Sequence, residues 1–494
     1  MDSANTIQTA VDFFLSRCGT LLINGKQTPA ISGRVFDVVN PATEEVIARV
    51  AHAGLDDVDL AVKAARAAFD TGTWSRMSPA ERSRLIYQLG EEIEKHADEL
   101  ALIETLDNGK PLTASRGWEV PAAADKLRYY AGWATKLTGE APVVSLSGDW
   151  HSYTIREAVG VAGLIVPWNF PLTMAVSKIA PALAAGCTVV LKPAEQTPLT
   201  ALRIGELATQ IGFPPGVINV VTGYGNAGAA IVEHPGVDKI SFTGSTEVGK
   251  KIVHAATSNM KRVTLELGGK SPAIVFPDAN LERSIDGVFR AIFGNAGQVC
   301  TAGSRLYVHK GVFDKVLDGL VDRASKLKVG LGTEPTTEMG PLISQEQVDR
   351  VLGYVESGRS EGAAVIAGGR RIARSGYFVE PTILTNTTAE MAVRREEIFG
   401  PVLCATSFDD DSLDEIAAEA NDTIYGLMAF VWTQNLSIAH NMAKKLKSGT
   451  VRINGGALDN ALPFGGYKQS GWGRENGREG VEAFTETKSV MINL

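Results

Sequence analysis

Cysteine is scarce in this chain. Among 494 residues there are four, Cys18, Cys187, Cys300 and Cys404, far apart and without a CxxC pair. That excludes a disulfide-stapled scaffold, a zinc ribbon and a thioredoxin-type redox motif, and it fits a reducing compartment. A basic excess is also missing. Lys and Arg number 48 against 56 Asp and Glu, for a net charge of −8, which excludes a general nucleic-acid binder with its basic footprint. No apolar run approaches a membrane span. The most apolar stretch, residues 159–168, carries two glycines and a proline and is too short. The start has Asp2 and no basic residue before its short apolar run, so it does not read as a secretory signal. A cytoplasmic protein is expected.

What is present points to a large folded core. Hydrophobic residues make up 44% and charged residues 21%, and the length suits two to four domains. Residues 20–50 alternate short apolar runs with the turn signals Asn24-Gly25 and Asn40-Pro41, which predicts antiparallel strands. Apolar residues at helical spacing behind acidic caps predict a helix over 56–69. Ser78-Pro79-Ala80-Glu81 is a capping box that opens a helix to about Leu106, and a third helix is expected over 116–138. Residues 142–153 read as a projecting hairpin.

From Ile155 the texture changes to buried strand, loop and helix, repeated through GVAGLIVPWNFP, CTVVLKPAEQTP, VINVVTGYG, DKISFTGSTEVG and VTLELGGK. This predicts an α/β fold with a parallel, doubly wound sheet, whose ligands bind beyond the carboxyl ends of the strands. A second α/β block begins past Asn280. It has a helix near 281–293, a strand at RLYVHK, a helix over 312–327 and strands within FVEPTILTN, PVLCATSFD, LMAFVWT and GTVRIN. TKSVMINL makes a terminal strand.

The chemistry-bearing residues sit in the loops. FGNAGQVCTAGS places Cys300 among Gly294, Gly297 and Gly303, so the thiol is either a nucleophile with help nearby or an inert core cysteine. Asn169, between Pro167 and Pro171, is a rigidly held amide able to donate to an oxyanion, or an ordinary turn asparagine. Lys192 and Glu195 suit ribose hydroxyls, or form a solvated salt bridge. Gly223-Tyr-Gly225-Asn-Ala-Gly228 is formally a GxGxxG, but weak as a pyrophosphate cradle. Phe242-Thr-Gly244-Ser245-Thr-Glu-Val248-Gly249 opens a helix, where free amides and the dipole favour phosphate. Glu266 lies in an apolar run. Unpaired burial would raise its pKa toward that of a general base near neutrality; otherwise it pairs with a Lys or Arg. Glu397 and Phe399 precede a strand and suit a second ribose and a flat ring, or are a helix end with a packing phenylalanine.

PWNFP, KPAE, FTGSTEVG, ELGGK, GQVC, EEIFGP and PFGGYKQSG, in this order, resemble the NAD(P)-dependent aldehyde dehydrogenase superfamily from about Leu21 to the C-terminus. The FFLSR segment, VWTQNLS and the ETKSV ending are most similar to phenylacetaldehyde dehydrogenases. The resemblance implies a Rossmann-like NAD-binding domain (1–138 and 155–268), a second α/β catalytic domain (269–475) and a small β oligomerisation arm (139–154 and 476–494). It implies Cys300 as nucleophile, Asn169 as oxyanion donor and Glu266 as the base for hydrolysis rather than transfer to coenzyme A. Ile165, Pro167, Trp168, Lys192, Glu195, Gly225, Phe242, Gly244, Ser245, Val248, Gly249, Leu267, Glu397 and Phe399 would hold NAD, with Glu195 repelling the extra phosphate of NADP. No metal is implied.

By position, Phe170, Met174, Ser177, Thr301 and Leu458 would line the aldehyde tunnel. Ser177 stands where many relatives carry a large aromatic, so room for a bulky aromatic or medium-chain apolar aldehyde is expected. A dimer or tetramer is implied. The rivals are an aldehyde dehydrogenase for betaine aldehyde or a semialdehyde, a non-redox cysteine hydrolase, and a binding protein that keeps the fold without turnover. The seven histidines, at 52, 96, 151, 234, 254, 309 and 440, fall in none of these loops, which disfavours a hydrolase.

Overall fold

The computed structural model describes residues 3–494 except Asp410, Asp411 and Ala457, with residues 3–6 described as backbone only. Two large sheets organise the chain. The first has eight strands, in the order Gly471–Trp472, Arg262–Glu266, Lys239–Thr243, Val161–Ile165, Thr188–Lys192, Ile218–Val220, Leu21–Ile23 and Lys26–Thr28. Its five middle strands run parallel. The three central ones are buried on both faces along their whole length, as expected when helices cover both sides. Helices such as Leu55–Asp70, Pro171–Ala185 and Leu199–Gln210 provide that cover.

The second sheet has seven strands, in the order Ala364–Ala367, Thr382–Thr385, Val402–Phe408, Arg305–His309, Pro272–Val275, Met428–Trp432 and Thr450–Ile453. Each sheet is flanked by its own apolar clusters. A third unit is a two-stranded ribbon, Trp150–Ala158 against Thr485–Asn493, paired over nine positions. The antiparallel strands expected over 20–50 are present as two hairpins.

Several expected boundaries move. The ribbon strand runs to Ala158, so the change to buried strand comes at Val161 and not at Ile155, and the arm passes the expected limit at 154. Gly471–Trp472 pairs with Leu265 and Glu266, which returns this piece of the second block to the first sheet. Helix Gly477–Glu482 packs on the first unit, with Val481 and Phe484 in its core, and is not part of the projecting arm. The helix opened by the Ser78 capping box stops at Lys95. His96 leaves the α region, and a new helix, Ala97–Asn108, follows. Residues 116–138 start with a π-turn, Ser115–Glu119, ahead of helix Val120–Trp133. An N-terminal helix, Ser3–Leu15, docks Val11 and Phe14 into the first core; nothing but a short apolar run marked it.

Candidate active site

The parallel strands of the first sheet end side by side. Glu266 lies opposite Thr243, Phe242 opposite Ile165, and Ile165 opposite Lys192. The chain proceeds outward from Val161–Ile165 on one side, then returns to place Lys239–Thr243 on the other. The topological switch therefore falls between Ile165 and Phe242, where doubly wound sheets bind ligands. Pro167 and Trp168 form one lip of this crevice. Gly244 and Ser245 form the other.

Ser245 caps helix Thr246–Ala256, its Oγ accepting from Val248 N at 3.3 Å. Val248 is exposed, and Gly249 sits against Leu267, where a Cβ would come within 2.8 Å of Leu267 Cδ2. The first turn of this helix carries further amides and the positive end of the helix dipole, a setting for phosphate. The Thr243 hydroxyl beside them is buried without a partner among the described residues. Lys192 donates to Pro193 O at 3.0 Å and to Glu195 at 3.4 Å, and burial holds its ammonium below the usual lysine value. Gly225 opens helix Gly225–Glu233 beside empty space, while Gly228 packs on the Lys192 and Ile165 side chains. The GxGxxG turn thus stands beside Lys192, and the helix it opens packs against helix Thr246–Ala256. Together these groups suit a dinucleotide: amide donors for a pyrophosphate, Lys192 and Glu195 for hydroxyls.

Cys300 arrives from the second unit. Helix Leu281–Phe293 ends at Gly294, and Asn295, Ala296 and Gly297 then take three successive left-handed conformations, with φ of 49°, 53° and 70°. Left-handed backbone is unfavourable for alanine, so the loop is held by its surroundings. Gly297 lies against Gly400, where a Cβ would overlap the carbonyl. Asn295 Nδ2 donates to Asn169 O at 2.9 Å. Asn169 Nδ2 in turn donates to Gln298 O at 2.9 Å, and an amide nitrogen has a second hydrogen to give. A Cβ at Gly269 would overlap the Cys300 carbonyl, and Gly269 N donates to Glu397 Oε1 at 2.9 Å. Phe399, at φ 60°, sets its ring edge-on to Trp168 at 5.3 Å and so joins the lips of the two units.

The charges are close enough to act on one another. The Cys300 thiol is pushed well above its ordinary pKa, first by burial and then by Glu397, Glu266 and Glu475. Glu266 is buried, with Oε2 unpartnered among the described residues, and its carboxyl is raised well above the ordinary range by burial and by Glu475. Glu397 is pushed up to about 7 by burial. The sequence offered two readings of Glu266, ion-paired or orphaned. It makes no ion pair among the described residues; Lys178, the nearest buried cation, bonds to Glu475 and to Ser241 Oγ at 3.1 Å.

Among the tunnel residues, Phe170 packs edge-on against Trp118 at 5.5 Å. Met174 packs against the first core, Thr301 adjoins Cys300, and Leu458 is exposed. Ser177 differs from expectation. Its hydroxyl is buried, donates to Thr173 O at 2.7 Å and accepts from Lys126 Nζ at 2.8 Å, so Lys126 fills part of the room expected there. Lys126 also bonds to Asn476 Oδ1 at 2.9 Å, and burial lowers its pKa to about 8.

Two groups escaped the sequence reading. Trp118 rides on the π-turn, a device frequent at functional sites. Lys110, buried with Glu104 and Glu119, donates to Asn169 O at 3.1 Å and fixes the PWNFP loop from beneath. Lysine is almost never fully buried unless paired, and no local pattern marks its partners.

Comparison with known proteins agrees with this geometry. The model of the Aldehyde dehydrogenase family matches residues 28–490. A mitochondrial aldehyde dehydrogenase of Rattus norvegicus is 47% identical over 481 residues, covering 97% of this chain and 92% of that one. The NAD+ complex of an aldehyde dehydrogenase from Bacillus cereus superposes with a TM-score of 0.96 at 50% identity, covering 98% of each chain. A betaine aldehyde dehydrogenase from Staphylococcus aureus with NAD+ gives 0.94 at 40% identity, over 96% of this chain and 95% of that one. With its family model matching residues 28–490 and a relative 47% identical over 97% of its length, the chain belongs to the aldehyde dehydrogenase family.

Proposed function

We propose that this protein oxidises an aromatic or medium-chain apolar aldehyde, of the phenylacetaldehyde type, to its carboxylic acid. The observation that carries the proposal is the convergence of Cys300, Asn169 and Glu266. Cys300 Sγ, having given its proton to solvent water, attacks the carbonyl carbon as thiolate. The second Asn169 Nδ2 hydrogen and the Cys300 N–H hold the oxyanion of the thiohemiacetal. NAD, the cofactor, accepts the hydride when bound. Glu266 then takes a proton from the water that hydrolyses the resulting thioester. Lys192 and Glu195 hold the adenosine ribose, the Ser245 helix end faces the pyrophosphate, and Glu397 holds the nicotinamide ribose with Phe399 beside it. Glu195 repels a 2′-phosphate, so NAD is preferred over NADP; equal efficiency with both would count against this.

The Trp118–Phe170 pair supports an apolar substrate. A quaternary ammonium substrate such as betaine aldehyde is disfavoured, because Lys110 Nζ already lies over the Phe170 ring at 4.6 Å and Lys126 adds a second positive group nearby. The test is an aldehyde panel with NAD, followed by NADH absorbance, with Cys300→Ala as control. Phenylacetaldehyde and hexanal should exceed betaine aldehyde and succinic semialdehyde in kcat/KM; the reverse order would refute the substrate class.

The ribbon supports a dimer or tetramer. It leaves strand edges unpaired and Met491, Ile492 and Leu494 exposed, a hazard unless a second copy covers them. A monomer by solution scattering would contradict it. The four cysteines are unpaired, which supports a cytoplasmic setting; among the described residues no helix is long and apolar enough to cross a membrane.

A further inference from the structure

At the start of the second sheet's strand Pro272–Val275, Lys270, Ser271 and Pro272 border a small cavity, partly open to solvent, with room inside for about one water-sized body. Lys270 and Ser271 line it, both only 2% exposed, and their Nζ and Oγ donors are buried without acceptors among the described residues. Several acceptors in the wall already receive other donors. Ala420 O takes Arg305 Nη2 at 2.7 Å, Lys270 O takes Arg305 Nε at 2.9 Å, and Asn421 O and Thr423 O both take Lys468 Nζ. Gly426 O receives Gly449 N and Tyr467 N, and Leu427 O receives Thr450 N.

The charge is one-sided too. Lys270, Arg305 and Lys447 line the cavity, and among the described residues no Asp or Glu does. The Cys404 thiol and Glu397 both act on Lys270, but the Glu397 Oε1 accepts from Gly269 N and neither group hydrogen-bonds to Lys270 Nζ among the described residues. A buried ammonium with neither acceptor nor counter-charge is costly. A single water would supply acceptors but leave the charge uncompensated.

We propose that this cavity is a binding site for one small monovalent inorganic anion of the halide class, held by Lys270 Nζ and Ser271 Oγ. Burial without the anion lowers the Lys270 pKa to about 8, so an occupant would also keep the ammonium charged in mildly alkaline solution. None of the residues assigned to the aldehyde or the nucleotide lines this cavity, and the site stands whether or not the substrate reading above holds.

The test uses the full chain and two readouts that do not depend on turnover. Crystals soaked in sodium bromide should give an anomalous peak between Lys270 Nζ and Ser271 Oγ; a water there, with no anomalous signal, overturns the proposal. In solution, the thermal midpoint at fixed ionic strength should rise with chloride over gluconate and saturate, as for a ligand of the native state. The rise should vanish in Lys270→Met and shrink in Ser271→Ala. An undiminished chloride effect in both variants, or none in the wild type, overturns it. If Lys270→Met does not fold, Ser271→Ala and the bromide experiment decide.

Discussion

The two sheets meet the site from opposite ends. The first presents the carboxyl ends of its strands, with Ile165, Lys192, Thr243 and Glu266 in a row. The second presents the segments that lead into its strands: Gly269 before Pro272–Val275, Cys300 before Arg305–His309, Glu397 and Phe399 before Val402–Phe408. The polarity differs accordingly. The first edge carries the amide end of helix Thr246–Ala256, which favours anions. Cys300 instead sits in the loop beyond helix Leu281–Phe293, its buried thiol faced by acids. The raised thiol follows first from burial and then from three acids, Glu397, Glu266 and Glu475. One side is thus ready for an anionic ligand at rest, while the other keeps its nucleophile protonated.

The largest effects should come from the protonated side, and they should separate. Cys300→Ala should leave no measurable aldehyde oxidation. Glu266→Gln should lower the steady-state rate by about 10²–10⁴, yet keep a first-turnover burst of NADH, because hydride leaves before the thioester is hydrolysed. Rapid-mixing absorbance reads both. Loss of the burst together with the steady state would mean that Glu266 also activates the thiol.

Next in size is Lys110→Met, on the side of the first sheet. It leaves Glu104 and Glu119 buried without their cation, a change that costs about 3–5 kcal/mol when a buried pair is broken. The urea midpoint should fall sharply and kcat with it, since the Asn169 carbonyl loses a donor. A stable variant with normal kcat would show that the PWNFP loop holds itself.

Thiol alkylation tests the contrast directly. Because the folded thiol is raised, its thiolate is a small fraction at neutrality. Inactivation by iodoacetamide without cofactor should then accelerate about tenfold per pH unit through pH 9, past the plateau of a free thiol near 8.5. A plateau below pH 8 would mean a thiolate already stabilised at rest and would erase the distinction between the two sides.

The same contrast explains what was legible in the sequence. Strand, loop and helix recur in the first unit with turn residues at each strand end, so the rule that ligands sit beyond carboxyl ends found Lys192, Gly244 and Glu266. That rule fails for the second unit, and Cys300, Glu397 and Phe399 emerged from their short motifs and the ordered resemblance instead. The ribbon limit at Ala158 was missed because a half-exposed strand and a buried strand adjoin there, separated only by Val159 and Gly160. Lys110 and Lys126 were missed because burial of a lysine is decided by distant partners, Glu104 and Glu119 for one, Ser177 and Asn476 for the other.

The smallest effect belongs to the anion-ready side. Ser245 Oγ accepts from Val248 N and so caps the helix behind the proposed pyrophosphate position. Replacing an N-cap serine by alanine costs about 1 kcal/mol, by glycine only a few tenths. Ser245→Ala should therefore lower the thermal midpoint by a degree or two, and Ser245→Gly by less. NAD affinity separates capping from contact. If the hydroxyl only caps, the two variants should bind NAD within about threefold of each other and of the wild type, because the helix amides remain. If it also donates to a phosphate oxygen, both should lose about tenfold, the value of one charge-assisted hydrogen bond, whatever their stability. The second outcome is expected, since accepting from Val248 leaves the hydroxyl proton free to donate. Titration of intrinsic fluorescence with NAD distinguishes the two.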